Sequence, residues 1–546
     1  MSVLVLGETD QTSLVSAEEV KTLGHTHNLT IPPSELQDWA ILLTGLNHCA
    51  KEVLALPNYY PPVDTSLYLR TDIHHPSGDK ETDYGGWATK ATIKCTHPKS
   101  NELKDNTLGI KDAIAVAGIK CTNGIGGKIG EWIPKVDATL VTRILDAGGI
   151  ILGKSACEAG CLVAVSDTSV TGNVHNPYDY GYSTGGSSSG SARLVATGQV
   201  DMAIGTDQGG SLRKPSANCG LVCIKPTWGL VPYTGCLSLE ATLDHAGPMA
   251  RTVQDCATVL EVIAGNDGMD DRQPYSWPQG HVKFGGELKK FLDSPSETPL
   301  KGVKVGILVE GFPSEMTDSN VAAASKFAIS KLAELGAEVM EASIPFYKDS
   351  GLIWMVGMAM PTTTQSLLSN PSGRKQLLFS DRCGLSGATL TQETFDALGF
   401  GAQNVYLRGL FLQERFGSPL HARCTNLRRK LNDEYDNAFK DVDLLVMPTC
   451  IFPPGKIEPQ GGASLGPLKM LSRTIGIPYN TAPFSSSGHP ALNLPVGFVP
   501  AQDDKNVWLP TGLQIVGRKF EDLMVLKAAG SWEKVSNWKT MRYGGD

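Results

Sequence analysis

The amino-acid sequence predicts an α/β protein: a central twisted, mixed or largely parallel sheet covered by helices on both faces, preceded by a helical N-terminal extension. Three observations carry this. From residue 87 onward, helix-period stretches repeatedly give way to short β-branched runs, as in a sheet with helices packed on it. The 546 residues are 41% hydrophobic, enough to bury a large core. Residues 1–86 instead carry one helical pattern and then a polar connection. The expected division is 1–86 as extension and connection and 87–546 as the α/β domain, with 353–417 as a lobe covering a pocket.

In the extension, Ser34 and Gln37 form a capping-box pattern just after Pro32 and Pro33, and Leu36, Trp39, Leu43, Leu46, Ala50 and Leu54 recur at helical spacing. A helix burying that stripe is expected. Pro61 to Trp87 is polar, proline-containing and aperiodic, and reads as an extended connection. Asp137 to Ala147 is amphipathic and stops at Gly148 and Gly149 before the strand-like IILGK. Lys304 to Val309 reads as a strand, Asn320 to Leu335 as a helix ending at Gly336, and Ala337 to Ala342 as a second strand. Leu420 to Phe439 reads as a helix before the strand DLLVMP, and GLQIVG as a strand before a last helix through Leu526 to Trp532. Ile353 to Gly417 is Met-rich and partly helical, and its LIWMVGMAMP, Leu352 to Pro361, suits either a pocket wall or a core helix. No fixed-period repeat is present.

The formal charge of −8 and a pI near 5.8 come without a basic stripe, which argues against a nucleic-acid partner. No apolar run reaches the ~18 residues of a membrane span, and MSVLVLGETD lacks the charged and apolar regions of a signal peptide. A soluble cytoplasmic protein without a membrane partner is expected. The twelve cysteines are dispersed and read as reduced thiols. Cys157/Cys161 and Cys219/Cys223 share a CxxxC spacing, but no histidine stands at a ligand-like interval, so no metal is expected.

The stretch STGGSSSGSA, Ser183 to Ala192, has the composition of a linker, yet it passes at once into ARLVATG, the strand-like VDMAIG and a second glycine-rich turn, TDQGGSLRKPSANCG. Glycines beside serines suit backbone N–H groups presented to a ligand as well as ordinary turns. A phosphate loop is excluded, because Gly209 and Gly210 are followed by Ser211 and Leu212 rather than by lysine. A nucleophile elbow fits Gly186 to Gly190 formally, with Ser188 as nucleophile and Asp244, His245 or His489 as partners, but the polar DYGYST precedes it instead of a buried strand. The third chemistry is a serine activated by lysine, which acts as a base only where desolvation lowers its pKa from ~10.4. Lys111 fits, since Leu108 and Ile110 precede it and a small apolar stretch follows.

Together these blocks resemble the amidase signature hydrolases. The resemblance rests on GIKDAIAVAGIKCTNG around Lys111, GGSSSGSA from Gly185, GTDQGGSLRKPSANCG from Gly205, KPTWGLVPYTG from Lys225, DHAGPMARTV from Asp244 and NTAPFSSSGHPALNLPVG from Asn480. The CEAGCLVAVSDTSVTGNVHNPYDYGYSTGG block is most similar to the nitrile-pathway, aliphatic and aryl amide hydrolases. The resemblance implies the amidase signature fold and a Ser-cisSer-Lys triad, with Lys111 as base, Ser187 as bridging serine and Ser211 as acyl-accepting nucleophile. It places the oxyanion on the backbone N–H groups of Gln208, Gly209, Gly210 and Ser211, and implies no metal and no organic cofactor. Asp207 and Arg213 are expected to pair and shape the oxyanion loop, and Thr184 and Ser189 to hydrogen-bond Lys111 or Ser187. Cys157 and Asp244 receive no chemistry, and His245 and His489 read as structural. The implied reaction is hydrolysis of carboxylic amides, with esters, anilides and carbamates as further substrates, by a homodimer; the acidic, unspecialised surface suits small uncharged substrates. Two alternatives stand beside it: the amidohydrolase subunit of a transamidating complex, and an esterase using Ser188.

Overall fold

A computed structural model describes residues 13–370, 374, 376–379, 381–382, 389–458 and 466–544. The chain divides between Pro61 and Pro62 into two compact units.

In the smaller unit, helices span Ala17–Thr26 and Leu36–Ala55. The first is capped by Ser16, whose Oγ accepts from Glu19 N at 3.2 Å while Glu19 Oε2 accepts from Ser16 N at 2.6 Å. The second lies where the periodicity predicts it, but its N-cap is Glu35 without a side-chain bond, so the Ser34–Gln37 box is not formed. Its buried residues are Ala40, Thr44 and Gly45, whereas Trp39, Leu46 and Leu54 are exposed. Hydrogen bonds choose this face: Thr44 Oγ1 accepts from Val15 N and Asn47 Nδ2 donates to Ser13 O, both at 2.9 Å.

The larger unit is organised by a sheet of twelve strands. They are β1 (Tyr68–His74), β2 (Trp87–Cys95), β3 (Thr107–Lys111), β4 (Ile150–Ser155), β5 (Met202–Asp207), β6 (Val222–Lys225), β7 (His245–Ala250), β8 (Lys304–Leu308), β9 (Glu338–Ala342), β10 (Leu444–Pro448), β11 (Ala491–Pro500) and β12 (Trp508–Gly517). Their order is β1-β2-β4-β3-β5-β7-β6-β11-β12-β10-β8-β9. Pairs β4-β3-β5 and β10-β8-β9 are parallel and the remaining ladders antiparallel, a mixed sheet. Pro61 to Trp87 is therefore not wholly a connection. It contributes edge strand β1, antiparallel to β2, which moves the division of the chain from residue 86 to Pro61. Tyr68 ties this strand down by donating to Asp146 Oδ1 at 2.9 Å.

Both faces of the sheet are buried, as alternation along β10 and β12 shows. Leu444, Val446, Leu513 and Ile515 join a core with Val321 and Leu332 of helix Ser319–Glu334 and Val525 and Leu526 of helix Asp522–Val535. Leu445, Met447 and Val516 join Leu431, Tyr435 and Phe439 on the other side. The helix read from Leu420 is the second half of Gly399–Ala438, which breaks at Gly417 (φ 61°) just before Pro419. Of the expected 353–417 lobe, the described part is largely helical, and residues 371–373, 375, 380 and 383–388 lie outside the described residues. Among the described residues no helix is long and apolar enough to cross a membrane. Parallel neighbours β3 and β5 end side by side, and their carboxyl ends carry Lys111, Thr206 and Asp207.

Candidate active site

Lys111 is the last residue of β3 and is completely buried. Ile110 lies opposite Ile204, which brings the end of β3 beside Thr206. Lys111 Nζ donates to Thr206 Oγ1 and to Ser187 Oγ, each at 2.8 Å. Ser187 follows a cis peptide bond from Gly186. Every residue from Ser183 to Ala192 is buried, so the glycine- and serine-rich stretch is packed structure and not a tether. Its glycines are needed for space: a Cβ on Gly190 would lie 2.3 Å from Gly86 O, and one on Gly186 2.8 Å from Glu158 Cγ. Glu158 N donates to Ser187 O at 3.2 Å, and burial pushes the Glu158 carboxyl up to about 8, opposed by the Thr168 hydroxyl that donates to it at 2.6 Å.

The second loop runs from Asp207 to Arg213. Asp207 accepts from Gly210 N (2.7 Å), Leu212 N (3.1 Å), Ser485 Oγ (3.0 Å) and both Nε (3.0 Å) and Nη2 (2.9 Å) of Arg213. The expected Asp207–Arg213 pair is thus present, with both side chains wholly out of solvent. Burial alone would raise the Asp207 carboxyl, but the Arg213 charge and hydrogen bonds outweigh it and hold the group well below the usual carboxylate range. Arg213 in turn donates to Gln514 Oε1 and Ser485 Oγ at 2.8 Å.

Carbonyls of the same loop are anchored away from its N–H groups. Trp354 Nε1 donates to Gln208 O (2.8 Å), Thr481 Oγ1 to Gly209 O (2.7 Å) and Lys214 N to Gly210 O (2.8 Å). The C=O and N–H of one trans peptide point in opposite directions, so these bonds orient the N–H groups of Gly209, Gly210 and Ser211. The N–H of Gly210 is the one that meets Asp207, which corrects the expected oxyanion set: a donor already bound at 2.7 Å is not free. The N–H groups of Gln208, Gly209 and Ser211 have no partner among the described residues. Side chains at the glycines would collide: a Cβ would lie 2.4 Å from the Trp354 indole at Gly209 and 2.2 Å from Thr481 Oγ1 at Gly210, whose φ is 118°.

The two loops touch where Ser188 N donates to Ser211 O at 3.2 Å. Ser211 lines a cavity of about 390 Å³ together with Cys161, Gln208, Lys214, Trp354 and Met358. Its Oγ makes no hydrogen bond among the described residues, and none links it to Ser187 Oγ. The LIWMVGMAMP stretch serves both expected roles, with Trp354, Met355 and Met358 on the cavity and Ile353 buried.

Other expectations change. Thr184 Oγ1 donates to Gly185 O at 3.2 Å and Ser189 Oγ has no hydrogen bond, so neither holds Lys111 or Ser187. Thr206 takes that place. Ser188, the elbow candidate, donates to Thr206 O at 3.3 Å and does not line the cavity. Its suggested partners are engaged elsewhere: Asp244 with Gln208 and Ser238, His245 with Leu243 O, His489 with Ser487 and Asp436. Cys161 Sγ donates to Asn123 Oδ1 at 3.3 Å.

Comparison with known proteins agrees with this architecture. The amidase family profile matches residues 91–526. An enantioselective amidase of Rhodococcus rhodochrous is 35% identical over 496 residues, 88% of this chain and 90% of that protein. The A subunit of the glutamyl-tRNA(Gln) amidotransferase of Chloroflexus aggregans is 33% identical over 80% of this chain and 83% of its own. The crystal structure of the corresponding protein from Thermotoga maritima superposes with a TM-score of 0.64 at 27% identity, over 80% of this chain and 85% of that one. The chain therefore belongs to the amidase signature family, hydrolases acting on the C–N bond of amides.

Proposed function

We propose that the chain hydrolyses carboxylic amides to acid and amine through an acyl-enzyme on Ser211. The observation that carries the reading is the completely buried Lys111 amine, 2.8 Å from Ser187 Oγ, beside a loop whose free N–H groups and Ser211 line the same cavity. Ser211 Oγ attacks the substrate carbonyl carbon; its proton passes to Ser187 Oγ as the Ser187 proton passes to the Lys111 amine. Thr206 Oγ1 keeps that amine aimed, since it accepts one of its hydrogens at 2.8 Å. The N–H groups of Gln208, Gly209 and Ser211 meet the oxyanion, each worth ~3–4 kcal/mol in the transition state. Collapse breaks the C–N bond as the relay runs backward and protonates the leaving nitrogen. Water then attacks the Ser211 ester through the same relay and releases the acid.

The contact between Ser187 Oγ and Ser211 Oγ forms in this account only when substrate fills the cavity, as catalytic hydrogen bonds commonly tighten on binding. The reading places the enzyme in the cytoplasm, in keeping with described cysteines that are all unpaired thiols. A second reading, the amide-hydrolysing component of a transamidating assembly, is favoured by the likeness to the A subunits of amidotransferases. Turnover assays on the purified chain with acetamide, benzamide, an anilide and an alkyl carbamate decide between them. Hydrolysis without any partner supports the first; turnover that needs a further protein supports the second.

A further inference from the structure

Four lysines are buried among the described residues: Lys111, Lys154, Lys214 and Lys225. Three have partners. Lys111 meets two hydroxyls, Lys154 the Asp112 carboxylate at 3.1 Å, and Lys225 the carbonyls of His489 (2.7 Å) and Pro226 (3.2 Å). Lys214 Nζ makes neither a hydrogen bond nor an ion pair among the described residues, although an amine so enclosed ordinarily finds acceptors. Its place is specific. Lys214 is the second residue of the short helix Arg213–Asn218, and its Cε lies 2.8 Å from where a Cβ on Gly210 would stand, so the stem lies along the oxyanion loop. The residue lines the Ser211 cavity and, with Ala164, Ile475 and Ile477, the wall shared with a second cavity of about 420 Å³.

No carboxylate is among the described residues lining the Ser211 cavity, and Arg408 adds a second cationic side chain to it. In the neighbouring cavity the other cations are already paired, Lys456 with Asp503 and Arg473 with Asp167. Asp207 neutralises Arg213 through two hydrogen bonds and has none from Lys214. Burial pushes the Lys214 ammonium down to about 8, opposed by the Asp207 carboxylate and the Cys450 thiol. At neutral pH it is mostly charged.

We propose that Lys214 is a specificity-determining residue that pairs with a carboxylate carried by the substrate, so that the preferred substrates are mono-amides of dicarboxylic acids and related anionic amides. This rests on the amide-hydrolase reading and replaces the small uncharged substrate expected from the acidic surface, because the cavity wall and not the net charge meets the ligand. A carboxylate brought to an enclosed, unpaired ammonium supplies the acceptor that the protein withholds.

The test compares kcat/KM for the mono-amides of succinate, glutarate and adipate with butyramide, valeramide and hexanamide in the wild-type chain, K214M and K214R. The expected result is a preference of at least about tenfold for one charged amide, erased in K214M and kept in K214R. Calorimetry of the same amides on S211A and S211A/K214M reads binding without turnover, so its outcome does not depend on the reaction, and the wild-type preference needs no variant to fold. The proposal is overturned if the uncharged partner is preferred or equal throughout the series, or if K214M binds and selects the charged amides as wild type does. Absence of turnover on every amide, with charged amides still bound through Lys214, would count against the hydrolase reading alone.

Discussion

In the loop around Ser187 one side chain, the Ser187 hydroxyl, meets Lys111, and Gly186 and Gly190 let the loop pack against Glu158 and Gly86. In the loop around Ser211 the Asp207 and Arg213 side chains lock together out of solvent, and Gln208, Gly209 and Ser211 line the cavity. Both loops are rich in glycine and serine, yet one is built to present hydroxyls and the other to present N–H groups. Similar composition thus supports two functions, and the partners of each carbonyl and carboxylate tell them apart.

Substitutions separate the two contributions, and the largest loss belongs to the one hydroxyl shared by both. Ser211→Ala is expected to lower kcat by ~10⁵-fold or more with the melting temperature unchanged, measured on any amide the wild type hydrolyses. Lys111→Ala follows, with a loss of about 10³ to 10⁴-fold. Near-normal rates in that variant at neutral pH would remove the base from the mechanism. Ser187→Ala should lose about 10- to 100-fold less than the lysine variant, since a water molecule partly replaces the hydroxyl. At the second loop, Asp207→Asn breaks a buried pair while leaving every hydroxyl in place. It should destabilise the fold by ~3–5 kcal/mol in denaturant titrations and weaken transition-state binding through the misplaced Gly210 turn. If Asp207→Asn unfolds no more easily than wild type, the loop is not held from beneath.

A pH dependence of stability is expected from the first loop. Burial raises the folded-state pKa of Glu158 to about 8, so the native state holds a proton that the unfolded chain has released. Its stabilising contribution is full below the unfolded value near 4.5 and is lost as pH rises through about 8. Glu158→Gln should therefore flatten the fall of melting temperature between those limits.

How far the sequence reveals this site depends on the range of each interaction. The Lys111, Ser187 and Ser211 positions were legible because each sits in its own ordered block, and the Asp207–Arg213 pair because both members lie in one turn. Thr206 was not, since its approach to Lys111 depends on the register between β3 and β5. Trp354 and Thr481 reach the Asp207–Arg213 loop from distant segments, and nothing local to either marks that contact. Thr184 and Ser189 show the opposite: neighbours of Ser187 in sequence, they turn to the local backbone or find no partner among the described residues. Strand β1 is not marked in the sequence, because YLRTDIH has little apolar alternation and is held by pairing with β2. In the helix Leu36–Ala55 the period is real but Trp39, Leu46 and Leu54 are exposed, and the smaller Ala40, Thr44 and Gly45 are the buried ones.

The central claim is that the Lys111 amine activates Ser211 by way of Ser187. Fluorophosphonate labelling, read by intact mass and peptide mapping in wild type and Lys111→Ala, addresses it most directly. The account predicts a single adduct on Ser211, forming about 100-fold or more slowly in the lysine variant at equal thermal stability. An adduct on Ser188, or equal labelling rates in the two proteins, would contradict it.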